Sequence, residues 1–323
     1  MTVLATIRVA AIQATPVVLD AAASVDKAVD LIADAAAEGV HMVVFPECFV
    51  AMYPSWVWAG AALSDDDVID EIFLRLWESS IEVPGPLLDR LIGACRRHNV
   101  HCVIGVNERE PDRSFSVYNT MLTIGPAGLL ARHRKLVPTS HERLFHAFGA
   151  GDDLAVVQTA VGRVGGLICW ENRMPLARYA VYQGAPQIYV APTADTSPGW
   201  TSLMRAIAIE SGAFVVSANQ YVATEAYPAD FPMTLPPDDG VISAGGTCII
   251  PAYGDDALAG PLYGEEGILV ADCNLRECFA DKRSFDVTGH YSREEILLPL
   301  LNNGGPAKRQ SDNQPAWGVK GHL

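Results

Sequence analysis

The stretch Gly165-Gly166-Leu167-Ile168-Cys169-Trp170-Glu171-Asn172-Arg173-Met174-Pro175 reads as a strand, a sharp turn and a helix. Pro175 suits a first helical turn, and the paired glycines let a neighbouring backbone or ligand come close. A thiol at such a junction faces free backbone N–H groups, which favour the thiolate and can hold an oxyanion. Nucleophilic catalysis is the chemistry this arrangement suits; a buried thiol that merely closes a strand is the alternative.

A nucleophilic thiol needs a group to handle its proton, and no histidine of the chain stands at a comparable strand end. Val43-Val44-Phe45-Pro46-Glu47 instead drives a carboxylate out of an apolar strand, where a low dielectric raises its pKa into a range useful for acid/base work. A helix cap or a salt-bridge partner is the other reading of Glu47. Residues 129–138 deliver Lys135 between apolar neighbours at another strand end. Lys135 is either a solvated surface amine or a fixed ammonium that stabilises a tetrahedral intermediate and depresses the thiol pKa.

The elements that must position these groups follow a recurring order of amphipathic helix, Gly or Asn stop, and apolar strand. Ser24 can cap a helix with Val25, Ala28, Ile32 and Ala35 on one face, Gly39 can end it, and Met42-Val43-Val44-Phe45 follows. The same order appears at 87–99 into 101–106, at 175–184 into 188–190 and at 203–212 into 214–216. Strand-like stretches without helices lie at 116–124, 129–135, 155–159, 164–169, 246–251 and 267–271. Layered α/β architecture with mixed sheets is the expectation. Residues 1–302 form one domain in this reading; 223–240 is a surface excursion and 303–323 a C-terminal tail.

A formal net charge of −15, from 38 acids against 23 bases, argues against a nucleic-acid partner. No apolar run is long enough for a spanning helix, and the N-terminus alternates like a strand without a basic leader, so a cytoplasmic protein without membrane contact is expected. Seven cysteines without C-x-x-C spacing argue against a disulfide framework or zinc ribbon. The histidines show no H-x-x-x-H spacing, and no metal or organic cofactor is implied. His101, beside Cys102, reads as structural.

Taken together, Phe45-Pro46-Glu47, His133-Arg134-Lys135-Leu136-Val137-Pro138-Thr139 and Leu167-Ile168-Cys169-Trp170-Glu171-Asn172 closely resemble the nitrilase family of carbon-nitrogen hydrolases, over about residues 8–302. The family's catalytic Glu, Lys and Cys fall in this order. The residues after the cysteine, through Met174-Pro175-Leu176-Ala177-Arg178-Tyr179, look like the nitrile-hydrolysing branch rather than amidases or carbamoylases. Tyr53-Pro54-Ser55-Trp56, Ala191-Pro192-Thr193 and Gly289-His290-Tyr291-Ser292-Arg293 extend the likeness. It departs at His146, Ala147 and Ala150, where members tend to carry Trp, Gly and Asp, and lacks the Pro usual after Ser292-Arg293.

The resemblance implies a four-layer α-β-β-α sandwich with two mixed sheets, and homo-oligomers whose paired subunits extend into spirals. It implies a nitrile substrate, hydrolysed through a covalent thioimidate and thioester on Cys169, with Glu47 as general base and Lys135 stabilising the intermediate. A second acid is carried over to Glu142, as the group that orients the lysine. Tyr53, Trp56, Trp170 and Thr193 are the expected substrate-binding residues, with Trp58 in the same aromatic run; for Trp56 and Trp58, packing at a subunit interface is the competing reading. An amidase or carbamoylase with the same trio is the alternative activity, and a non-enzymatic assembly protein the more distant one.

Overall fold

A computed structural model describes residues 5–58, 65–110, 115–233 and 240–303. The first sheet holds β1 (Thr6–Gln13), β2 (Met42–Val44), β3 (Ile81–Glu82), β4 (His101–Arg109), β5 (Val117–Gly125), β6 (Gly128–Arg134) and β14 (Gly267–Asn274), in the order β14-β1-β2-β4-β5-β6 with β3 beside β4. The second holds β7 (Val157–Thr159), β8 (Gly162–Gly166), β9 (Ile188–Val190), β10 (Phe214–Ser217), β11 (Tyr221–Ala223), β12 (Val241–Ile250) and β13 (Ala259–Tyr263), in the order β11-β12-β10-β9-β8-β7 with β13 beside β12. Both sheets are mixed: β1-β2-β4 and β8-β9-β10 are parallel, β3 joins β4 in parallel, and β14, β5, β7 and β12 flank them antiparallel.

The helices are α1 (Ala21–Ala37), α2 (Asp66–Glu78), α3 (Pro86–His98), α4 (Pro175–Gln183), α5 (Pro198–Ser211), α6 (Arg276–Lys282) and α7 (Glu294–Asn302). The two-residue period of the central strands decides the layering. Ile7, Val9, Ala11, Met42, Val44 and Val103 face Val164, Ile188, Val190 and Val216 across the gap between the sheets. Their alternates Ala10, Ile12, Val43, Cys102 and Ile104 pack against Val25, Ala28 and Ile32 of α1 and Leu88 and Leu91 of α3. On the far side, Tyr189 and Val215 meet Ala177 and Val181 of α4 and Met204 and Ile207 of α5. Because the central strands are apolar on both faces, four layers result: α1/α3, first sheet, second sheet, α4/α5.

The expected helix-strand units are all present, with shifted ends. Asp20, not Ser24, caps α1, its carboxylate accepting the Ala23 N–H at 2.9 Å. Ser24 lies inside the first turns and bonds to Val17. Asn99 stops α3 in the left-handed conformation, at φ 53°. The strand expected over 164–169 ends at Gly166, and Cys169 falls in a 3-10 turn, Cys169–Arg173, that precedes α4. Helix α2, with its acid-rich first turn, escapes the apolar-periodicity reading because it buries only Ile72 and Leu76.

The excursion expected over 223–240 is not confined to the surface. Tyr227, Phe231 and Met233 close over Trp56, whose ring lies 5.6 Å from Phe231 and 5.9 Å from Phe145. Residues 234–239, and residues 304–323 of the tail expected over 303–323, lie outside the described residues. No described helix is long and apolar enough to cross a membrane. Since Trp56 is wholly buried in this satellite core, Trp56→Ala should lower the unfolding free energy by about 3–5 kcal/mol in urea titration.

Candidate active site

Each reactive side chain leaves the end of a strand. Phe45 prolongs the parallel ladder through its N–H to the Val103 carbonyl at 2.8 Å, and Glu47 follows two residues later. Gly105 makes room there: its N–H meets the Pro46 carbonyl at 3.1 Å, and a Cβ at Gly105 would collide with the backbone of Pro46 and Cys48. Lys135 directly follows β6, its N–H bonded to the Asn119 carbonyl at 2.8 Å. Glu142 projects from the 3-10 turn Ser140–Leu144. Cys169 follows β8, anchored by its N–H to the Pro192 carbonyl at 2.8 Å.

The cysteine adopts φ 48°, a left-handed conformation rare for a non-glycine residue. Gly166 explains the close approach behind it, because a Cβ there would strike the Val190 carbonyl of β9. This is the sharp turn the sequence implied, strained at the sulfur-bearing residue itself.

Lys135 Nζ lies 2.6 Å from Glu47 Oε1 and 2.8 Å from Glu142 Oε2, and all three side chains are buried. Asn119 donates from Nδ2 to both carboxylates, at 2.7 Å to Glu47 and 2.9 Å to Glu142. The two acids then diverge. Glu142 also accepts the Thr139 N–H at 2.9 Å and faces His146 Nδ1 at 3.0 Å. Although burial opposes its charge, Lys135 and His146 hold Glu142 well below the usual carboxylate range. Glu47 Oε2 is buried with no partner, and burial, despite Lys135, raises the pKa of Glu47. Neighbouring carboxylates in unlike surroundings thus become a fixed anion and a proton acceptor. Two carboxylates in turn keep the lysine charged, its pKa well above the ordinary value despite burial.

The thiol differs from the expectation. Burial, reinforced by Glu47, pushes the Cys169 pKa up, and Lys135, the Thr193 hydroxyl and the backbone at Ala194 do not offset that. These influences favour a protonated thiol, where the turn's N–H groups and the lysine were expected to favour the thiolate. Only 4 % of Cys169 is exposed, yet it lines a cavity of about 390 Å³ with Tyr53, Thr139, Trp170, Asp195 and Ile242.

Of the expected substrate contacts, Tyr53 and Trp170 line this cavity. Trp170 is 44 % exposed, its indole N–H held by Asp195 at 2.8 Å. Thr193 instead bonds Cys169 Sγ through its hydroxyl at 3.2 Å. Trp56 is a correction: packed against Phe145 and Phe231 inside its own chain, it has no surface to offer substrate or a partner subunit.

The sequence reading missed Asn119 and Asn107, and gave His146 only as a departure from the family pattern. Asn107 and Asn119 sit opposite each other across β4 and β5, and His146 Nε2 meets Asn107 Oδ1 at 2.8 Å. Polar residues interrupting two apolar strands were the available signal.

A family model for carbon-nitrogen hydrolases matches residues 8–283. The chain belongs to the carbon-nitrogen hydrolase family. The nitrilase-family resemblance is supported by curated relatives: 40% identity over 312 residues to a bifunctional nitrilase/nitrile hydratase, NIT4A of Lupinus angustifolius, covering 92% of this chain and 86% of that protein. Nitrilase 1 of Arabidopsis thaliana is 41% identical over 307 residues, covering 92% and 87%. Among solved structures, Saccharomyces cerevisiae Nit3, a nitrilase-superfamily member, superposes with a TM-score of 0.69 at 18% identity over 91% of this chain and 100% of that one. A double mutant of the amidase from Nesterenkonia sp. AN1, in complex with acrylamide, gives a TM-score of 0.63 at 20% identity over 87% and 95%. These likenesses bear out the four-layer fold of this carbon-nitrogen hydrolase.

Removing the shared cation tests the electrostatics of the site. Lys135→Met leaves two buried carboxylates facing one another, a loss of about 3–5 kcal/mol in unfolding free energy at neutral pH. With their pKa values raised in the folded variant, the deficit should shrink as pH falls and the carboxyls protonate. Urea titrations of variant and wild type at several pH values measure that difference.

Proposed function

We propose that the protein is a nitrilase that converts an organic nitrile and two waters into the carboxylic acid and ammonia. The observation that carries this reading is the buried contact of Lys135 with Glu47 and Glu142, with Glu47 and Lys135 near enough to act on the charge of Cys169, which lines the cavity. Relatives named nitrilase at about 40% identity support the substrate class.

Because the thiol rests protonated, attack and deprotonation are coupled. Cys169 Sγ bonds to the nitrile carbon while its proton passes to the free oxygen of Glu47 and on to the nitrile nitrogen, giving a thioimidate. Water, activated by Glu47, adds to that carbon. Glu47 passes both protons of that water in turn to the nitrogen, so that cleavage of the C–N bond releases ammonia and leaves a thioester. A second water, activated in the same way, expels the thiol and yields the acid. The Lys135 ammonium and the N–H of Trp170 hold the charge of each tetrahedral state, a donor contribution typically worth about 100-fold to 1000-fold in rate. Glu142, saturated with donors, stays ionised and orients the lysine without exchanging protons.

Breaking the C–S bond instead of the C–N bond would release an amide, and the relatives named bifunctional nitrilase/nitrile hydratase are consistent with that branch. Tyr53 and Trp170 supply aromatic walls that suit the organic part of the substrate.

Ammonia and amide release on matched nitrile and amide substrates tests the assignment. Cys169→Ala should abolish turnover with the fold retained; activity on the amide but not the nitrile would instead indicate an amidase. Glu47 must be ionised to accept a proton and its pKa is raised, so kcat/KM should fall on acidification with a midpoint above the ordinary carboxylate range. Glu47→Gln should abolish turnover across that range.

A further inference from the structure

A second buried charge cluster lies behind the first, and the reaction makes no use of it. Glu171, two residues after the cysteine, is buried and accepts the Ile168 N–H at 2.8 Å and the Leu136 N–H at 2.6 Å. One carboxylate therefore ties the residue before Cys169 to the residue after Lys135. Its remaining contact is His133 Nε2, 3.1 Å from Oε2. His133 Nδ1 meets Asp153 Oδ1 at 2.8 Å, and Asp153 Oδ2 accepts the Arg134 N–H at 2.9 Å. The N–H groups on both sides of Lys135 are thus held by two acids bridged through one buried ring.

We infer that Glu171, bridged by His133 to Asp153, is a positioning residue that sets the Lys135 strand end against the Cys169 turn. This rests on the catalytic reading of Lys135 and Cys169. These two residues leave different sheets, and apolar packing between sheets is not directional. Glu171 supplies direction: its bonds end on main-chain atoms adjacent to both reactive residues. A misplacement of about 1 Å at such a site can cost about 100-fold in rate.

The bridge requires a cation. A neutral imidazole has one N–H and would turn a lone pair toward one of the two carboxylates. The charged groups acting on the ring are Asp153 from the loop ahead of β7 and Glu171 from the turn behind β8; Arg132 on the same strand acts on Asp153. Although burial opposes protonation, these acids push the His133 pKa up to about 9. A raised pKa stabilises the fold fully below the ordinary histidine value, and that contribution is lost as pH rises through about 9. Over that upper range the clamp should loosen and kcat should fall.

The test uses His133→Gln, which cannot titrate, and Asp153→Asn, whose side chain is partly exposed and so threatens the fold less. His133→Gln should lower kcat by about 100-fold with KM little changed, and remove the alkaline fall near pH 9. Asp153→Asn should move that fall down by about one pH unit. Hydrogen exchange at the Leu136 and Ile168 amides, measured without substrate, should quicken in both variants. Wild-type kcat, an unchanged alkaline limb and unchanged exchange would overturn the inference. Should wild type hydrolyse nitriles and Cys169→Ala fail, the catalytic reading stands whatever these variants do; exchange decides the clamp even where no nitrile turns over.

Discussion

The site depends on one buried ammonium shared between two carboxylates. Lys135, Glu47 and Glu142 are removed from water together, and no one of them is tolerable there alone. The cost of that burial is offset only if every remaining lone pair finds a donor, which accounts for Asn119, His146 and the Thr139 N–H around Glu142. Two gaps remain among these groups, Asn119 Oδ1 and Glu47 Oε2, and of the two only the carboxylate is basic enough to take a proton. An acceptor without a donor in a low dielectric is poised to take a proton.

The same constraint governs the sulfur. A thiolate beside Glu47 in this buried position would be repelled, which favours the protonated thiol. In the proposed mechanism, nucleophile and base are then activated in one step. The strained φ at Cys169 and the glycine-permitted approach of β8 to β9 place the sulfur where that exchange can occur. Rigid strands on two sheets, rather than loops alone, carry the reacting groups.

Much of this was legible from residue order. Apolar strands running toward Glu47, Lys135 and Cys169 singled out side chains that the fold brings near one another, and the helix-strand rhythm announced the layers. Ends were less readable: Asp20 outcompeted Ser24 as a cap because its carboxylate reaches the Ala23 N–H from outside the helix. The thiol's protonation state was misjudged because local N–H donors were weighed without the burial that only the assembled core imposes. Trp56 failed as a substrate contact for a related reason: Tyr227, Phe231 and Met233, far along the chain, cover it. Asn107, Asn119 and His146 act only as a network, and pairing across β4 and β5 cannot be read from either strand alone.

The account stands or falls on covalent chemistry at one of seven free cysteines. Acid quenching of wild-type protein during nitrile turnover, followed by peptide mass spectrometry, examines this directly. An adduct with the mass of the substrate's imidate or acyl group should appear on the peptide bearing Cys169 and on no other thiol. Turnover with that peptide unmodified, or with the adduct on a different cysteine, would contradict it.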